Sequence, residues 1–256
     1  MLNQVQHDVN TGEKMQTINK NTKEKIVLAL DVDSLEEAKE LILQLKDYVG
    51  VFKVGLQLYT QNGNEIIDFM KEQGLEFFLD VKLMDIPNTV AKASENIVRR
   101  GASFFNIHTL GGAEMMKQCV KSAKSTANEL GQKEPFILGV TVLTSISDEV
   151  LNNELEIPQK ASEYALKLAK LAKDSGLDGV VASVWEAKKI KEICGQDFKV
   201  LCPGIRPEWS LKNDQQRAAT PKVAVGEGAD YLVIGRAVTA AEDKLKAMQM
   251  IYEEMT

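Results

Sequence analysis

Short apolar runs recur eight times along this chain, each followed by a polar turn and an amphipathic stretch of helical period. The runs are Ile26–Leu30, Val51–Val54, Phe77–Val81, Ser103–Ile107, Phe136–Val142, Gly179–Ala182, Phe198–Leu201 and Tyr231–Ile234. Most are rich in Val, Ile, Leu or Phe, the composition of strands buried on both faces. The segments between them read as helices. Ser34-Leu35-Glu36-Glu37 has the form of a capping box before Ala38–Tyr48, and Thr239-Ala240-Ala241-Glu242 has the same form before the last helix. Asn88 or Thr89, after Pro87, is expected to cap a helix that runs through Arg100. Ser162–Ser175 is helical by period, with Gly176 as its stop. Strand-then-helix units impose a parallel sheet with right-handed crossovers. Eight of them predict an α/β fold, a closed (β/α)8 TIM barrel in a single domain. No G-x-G-x-x-G follows the first run, which argues against an open dinucleotide-binding sheet.

The 256 residues are 44% hydrophobic, enough for one large core. The net charge of −6 gives no global basic field for nucleic acid, so an anionic ligand would need a local cluster of Lys and Arg. Cys119, Cys194 and Cys202 are scattered and lack C-x-x-C spacing, which suits a reducing, cytoplasmic setting rather than a disulfide framework or zinc site. His7 and His108 are the only histidines, so a site built from several imidazoles is excluded. No apolar run is long enough to span a bilayer, and no membrane partner is expected. Residues 1–24 are rich in Asn, Gln, Lys and Thr, without sustained periodicity or an apolar h-region. They read as a disordered extension rather than a secretory signal, leaving 25–256 as the barrel.

Active sites of such barrels lie at the C-terminal ends of the strands. Those ends carry Asp31, Lys53, Asp80 with Lys82, His108, Thr144, Arg206 and Arg236. Alternation puts Asp80 and Lys82 on one face of their strand. Burying either charge is costly unless it is paired, so a charge network is expected there. Gly235 lets backbone approach a ligand and Arg236 offers a planar fork for oxyanions, at the position where barrels of this type cradle phosphate. Pro203–Pro221 is long and polar and reads as a lid. Gln215 within it is a neutral donor able to reach a phosphate, whereas Lys212 and Arg217 read as solvated. His108, beside Gly111-Gly112, is equally well explained as a hydrogen-bonded structural residue and stays outside the catalytic set. Trp185 and Trp209 are too few and too separated for a platform that stacks bases.

These residues resemble the orotidine 5′-phosphate decarboxylase family. Asp80–Thr89 matches its D-x-K-x-x-D-I-P-N-T signature completely. L-A-L-D at Leu28–Asp31, K-V-G at Lys53–Gly55, V-T-V-L-T-S at Val140–Ser145, P-G-I-R-P at Pro203–Pro207 and I-G-R at Ile234–Arg236 follow in the family's order. The resemblance runs from about Lys25 to the C-terminus. It implies conversion of orotidine 5′-monophosphate to uridine 5′-monophosphate and carbon dioxide, with no cofactor and no metal. It further implies Asp31 and Lys53 on the ribose hydroxyls, Lys82 as proton donor, and Asp80 beside the departing carboxylate. Thr144 would hold the ring, and Arg206, Gln215, the Gly235 amide and Arg236 the phosphate. The sites would be shared across a homodimer, with Asp85 and Thr89 supplied by the partner subunit.

Two other readings stay open at this point. Sister barrels that share D-x-K-x-x-D resemble magnesium-dependent sugar-phosphate decarboxylases or aldolases; the D-I-P-N-T ending and the P-G-I-R-P loop argue against them. A non-catalytic nucleotide-binding barrel is the other.

Overall fold

In the computed structural model, which describes residues 19–210 and 219–255, eight parallel strands close into a barrel. They are β1 (Ile26–Ala29), β2 (Val51–Gly55), β3 (Phe77–Leu83), β4 (Phe104–His108), β5 (Phe136–Val140), β6 (Gly179–Val181), β7 (Lys199–Cys202) and β8 (Tyr231–Ile234). Each pairs with its sequence neighbour, and β1 pairs with β8 to complete the ring. The (β/α)8 expectation therefore holds, with strand ends moved by a residue or two. The fifth strand stops at Val140, short of the expected Val142, because the chain there turns into the barrel mouth.

The period-two alternation of the strands divides the core in two. Val27, Ala29, Val51, Phe78, Phe104, Leu138, Leu201 and Val233 point inward and pack together. Their neighbours Ile26, Leu28, Phe52, Phe77, Leu79 and Phe105 point outward and pack in the larger core with the helices. Phe104 stacks on Phe136 at 5.1 Å and meets Tyr231 edge-on at the same distance, so aromatic rings fill the lower barrel. Truncating a ring such as Phe104 to Ala would cost about 3–5 kcal/mol. This plug forms a rigid floor under the polar layer above it.

Local signals explain most helix ends. Ser34 accepts from the Glu37 N–H and starts Leu35–Leu45, and Ser183 with Glu186 forms a full capping box before Val184–Cys194. Two expected caps are wrong. Pro87–Arg99 has no side-chain cap: Pro87, at the first position, has no N–H, and Asp85 instead accepts from the Ile86 N–H. The last helix, Lys244–Met255, starts after Asp243, which accepts from the Lys246 N–H. Thr239 instead ends a separate short helix, Arg236–Thr239. The expected extension is also revised at its end, since Lys20–Glu24 forms one helical turn capped by Asn19. Residues 1–18 and 211–218, the latter including Gln215, Lys212 and Arg217, lie outside the described residues.

Candidate active site

The C-terminal mouth of the barrel holds a cavity of about 470 Å3. Eight of the sequence-predicted residues line it: Asp31, Lys53, Asp80, Lys82, Thr144, Arg206, Gly235 and Arg236. The first four form one chain of alternating charge. Lys53 Nζ lies 3.2 Å from Asp31 Oδ1 and 3.2 Å from Asp80 Oδ2, and Lys82 Nζ lies 2.7 Å from Asp80 Oδ1. The parallel register places Gly55 beside Asp80, which brings the inward-facing Lys53 and Asp80 of adjacent strands within reach. Gly55 leaves the room for this: a Cβ there would sit 2.8 Å from Lys53 Nζ and 3.1 Å from Asp31 Oδ1.

Lys53 and Asp80 are both buried. Burial alone would push the Asp80 carboxyl up, but the Lys53 and Lys82 ammonium groups, with hydrogen bonds from Lys82 and Asn106, hold it below the usual carboxylate range. Asp80 therefore stays ionised at neutral pH. His108, at the end of β4, is shifted down by burial and by the nearby Lys82 charge, and its Nδ1 is buried without a hydrogen-bond partner among the described residues.

Arg206 follows β7, four strands around the ring from β3, and Arg236 follows β8. The charged lining thus comprises two carboxylates against four cations, although the whole chain is acidic. Such a cavity attracts an anion while keeping an internally neutral charge network at one wall. Asp85 and Thr89 do not line the cavity; both are exposed on the rim, next to Met84, 55% exposed, and Ile86, 67% exposed. Within one chain the Asp80–Lys82 pair is therefore not extended by Asp85. Among the described residues no group of three or more His, Cys, Asp or Glu side chains is placed to hold a metal ion, and no helix is long and apolar enough to cross a membrane.

One polar residue of this layer was missed. Asn106 lies on β4, faces the barrel interior and is fully buried. The signal was present: a lone amide within the apolar run Phe104-Phe105-Asn106-Ile107, on the inward parity of Phe104.

The family model described as Orotidine 5′-phosphate decarboxylase / HUMPS family matches residues 24–251. The chain belongs to this family. It is 46% identical over 233 residues to an orotidine 5′-phosphate decarboxylase of Syntrophomonas wolfei, covering 91% of this chain and 98% of that relative. It is 42% identical to the enzyme of the same name from Heliobacterium modesticaldum, covering 91% and 96%. Among solved structures, orotidine 5′-phosphate decarboxylase from Lactobacillus acidophilus superposes with a TM-score of 0.79 at 38% identity, covering 90% of this chain and 98% of that one. Family membership agrees with the mouth geometry: of the motif residues, Asp31, Lys53, Asp80, Lys82, Thr144, Arg206, Gly235 and Arg236 line one cavity, and Asp85 and Thr89 do not.

Proposed function

We propose that this protein decarboxylates orotidine 5′-monophosphate to uridine 5′-monophosphate, the last step of pyrimidine nucleotide synthesis, without cofactor or metal, in the cytoplasm. The observation that carries the reading is the Asp31–Lys53–Asp80–Lys82 chain in a cavity that also bears Arg206 and Arg236. Breaking the bond from ring carbon to carboxylate releases carbon dioxide and leaves the electron pair on a pyrimidine carbon with no adjacent carbonyl to accept it. The Lys82 ammonium stands where that charge develops, stabilises it, and transfers a proton to the carbon. Water then reprotonates the amine. Asp80 fixes Lys82 from the side of the departing carboxylate.

In this reading Asp31 and Lys53 hold the ribose hydroxyls and Thr144 the pyrimidine ring. Arg206, Gln215, the Gly235 amide and Arg236 hold the phosphate. Phosphate binding energy, remote from the reacting carbon, aligns the ring. The protein acts as a homodimer, with Asp85 and Thr89 reaching the site of the partner subunit; their exposed position beside apolar Met84 and Ile86 supports this. All three cysteines are free and buried, in keeping with a reducing compartment.

The test is release of carbon dioxide from orotidine 5′-monophosphate by the purified protein, followed by loss of the orotate chromophore in the near ultraviolet. Turnover should persist in excess EDTA. Absence of turnover refutes the reading, and turnover abolished by EDTA and restored by magnesium moves the protein to the sugar-phosphate branch of its family.

A further inference from the structure

Lys82 has a left-handed backbone, with φ +51°. A non-glycine residue in that conformation costs about 1–3 kcal/mol and persists where its surroundings over-determine it. The sheet is irregular at the same point. Between β3 and β4 the register passes from Leu79 opposite Phe105 to Leu83 opposite Ile107, so the β3 side holds two extra residues. Asn106 sits across from this bulge. Its Oδ1 accepts from the Lys82 backbone N–H at 2.7 Å, and its Nδ2 donates to Asp80 Oδ1 at 2.7 Å. The same Oδ1 of Asp80 accepts from Lys82 Nζ at 2.7 Å. The amide orientation is dictated from both ends, because an N–H requires the oxygen and a carboxylate requires the NH2.

We infer that Asn106 is a positioning residue for the proton donor: one buried amide ties the strained Lys82 backbone to the carboxylate that holds the Lys82 ammonium. The resulting closed ring runs from Asp80 through Asn106 to the Lys82 main chain and back along its side chain. With the amide in place, Lys82 cannot relax to extended backbone without breaking a buried bond, and Asp80 cannot rotate without losing a donor. The inference rests on the decarboxylase reading and adds a residue to it that does not line the cavity.

An ordinary buried amide would show only in stability, so the test uses a variant whose defect is titratable. In Asn106→Asp an ionised carboxylate still accepts from Lys82 but repels Asp80. Once protonated, it again accepts from one partner and donates to the other, as the amide does. Turnover is measured per binding site, counted by titration with uridine 5′-monophosphate, so that misfolded protein does not mimic a lower kcat. Asn106→Ala should lower kcat about 100-fold, the scale of an ångström-size misplacement, and leave the affinity for uridine 5′-monophosphate within about threefold. Asn106→Asp should be similarly slow at alkaline pH and recover relative to wild type as the pH is lowered, whereas the Asn106→Ala ratio stays flat. If Asn106→Ala does not fold, the Asn106→Asp profile decides. Parallel wild-type and Asn106→Asp profiles, or a wild-type kcat in Asn106→Ala, overturn the inference alone. A wild-type protein inactive on orotidine 5′-monophosphate overturns the decarboxylase reading and the positioning role with it.

Discussion

Replacing Lys53 with Met removes one charge from the network and keeps most of the apolar stem. The ammonium lies 3.2 Å from Asp80, and at an effective dielectric of about 20 that separation carries roughly 5 kcal/mol of gross attraction. Desolvation of both ions offsets much of it. The pairing with Asp31 adds little, because that carboxylate is half exposed. What the substitution exposes is Asp80, buried with one cation fewer. Breaking a buried pair costs about 3–5 kcal/mol, and the partners Asp80 keeps in Lys82 and Asn106 put the expected loss at about 2–3 kcal/mol. Urea unfolding of the ligand-free protein at neutral pH measures it. The double variant Lys53→Met/Asp80→Asn should lose at least 1 kcal/mol less than the sum of the single losses. The pH dependence has a definite sign. The folded Asp80 pKa lies below its ordinary value of 3.8, so its contribution is present above that value and is lost as pH falls through the folded pKa. Lys53→Met reduces that contribution, and the gap to wild type should narrow in acid. A loss below about 0.5 kcal/mol, or additive single losses, would refute the coupling of these two side chains.

Gly55→Ala should fold with a stability loss near 1 kcal/mol, because the new Cβ meets the mobile end of Lys53, but kcat/KM should fall about tenfold as Lys53 and Asp31 are pushed apart; unchanged kinetics would show that their spacing is irrelevant. Lys82→Ala and Asp85→Ala should each lower kcat by at least 100-fold, and mixing the two variants should restore activity, since a mixed dimer carries one site with both native residues. No recovery despite demonstrated subunit exchange would argue that each site is built within one chain. Arg236→Ala should reduce kcat/KM for the nucleotide about 100-fold and leave the slow turnover of the phosphate-free nucleoside nearly unchanged. Equal losses on both substrates would remove Arg236 from the phosphate.

The barrel was legible because a buried parallel strand has a simple signature, a short apolar run bounded by turns, and eight of them leave few ways to close a sheet. The strand-end residues were legible for the same reason: the C-terminal end of each run is the mouth. Side-chain alternation correctly paired Asp80 with Lys82. It could not pair Lys53 with Asp80, which depends on the β2–β3 register rather than on spacing within one strand. The bulge at Lys82 was hidden for a deeper reason. Its left-handed backbone is held by an amide 24 residues away, and local propensity would never assign that conformation to a lysine. The helix starts at Pro87 and Lys244 were misread because a capping motif states which residue can cap, whereas the path of the preceding loop decides which one does.

The division of charge in the mouth follows from the strand order. Strands β1 to β3 supply two acids and two bases, a set that is neutral as a whole and can be buried because each member has an opposite neighbour. Strands β7 and β8 lead into the two arginines of the cavity lining, Arg206 partly and Arg236 largely exposed, where a cation costs little and a bound anion gains most. The ring closes between β8 and β1, so the acid on the strand next to Arg236 is Asp31, already paired with Lys53, while the more deeply buried Asp80 lies two strands further round on β3. In the proposed reaction this order, over a floor of packed aromatic rings, lets one end of the ligand be gripped by net charge. The other end would meet a balanced network in which only the newly forming charge is unmatched. That is the arrangement electrostatic catalysis requires: attraction held in reserve for a charge the ground state does not yet have.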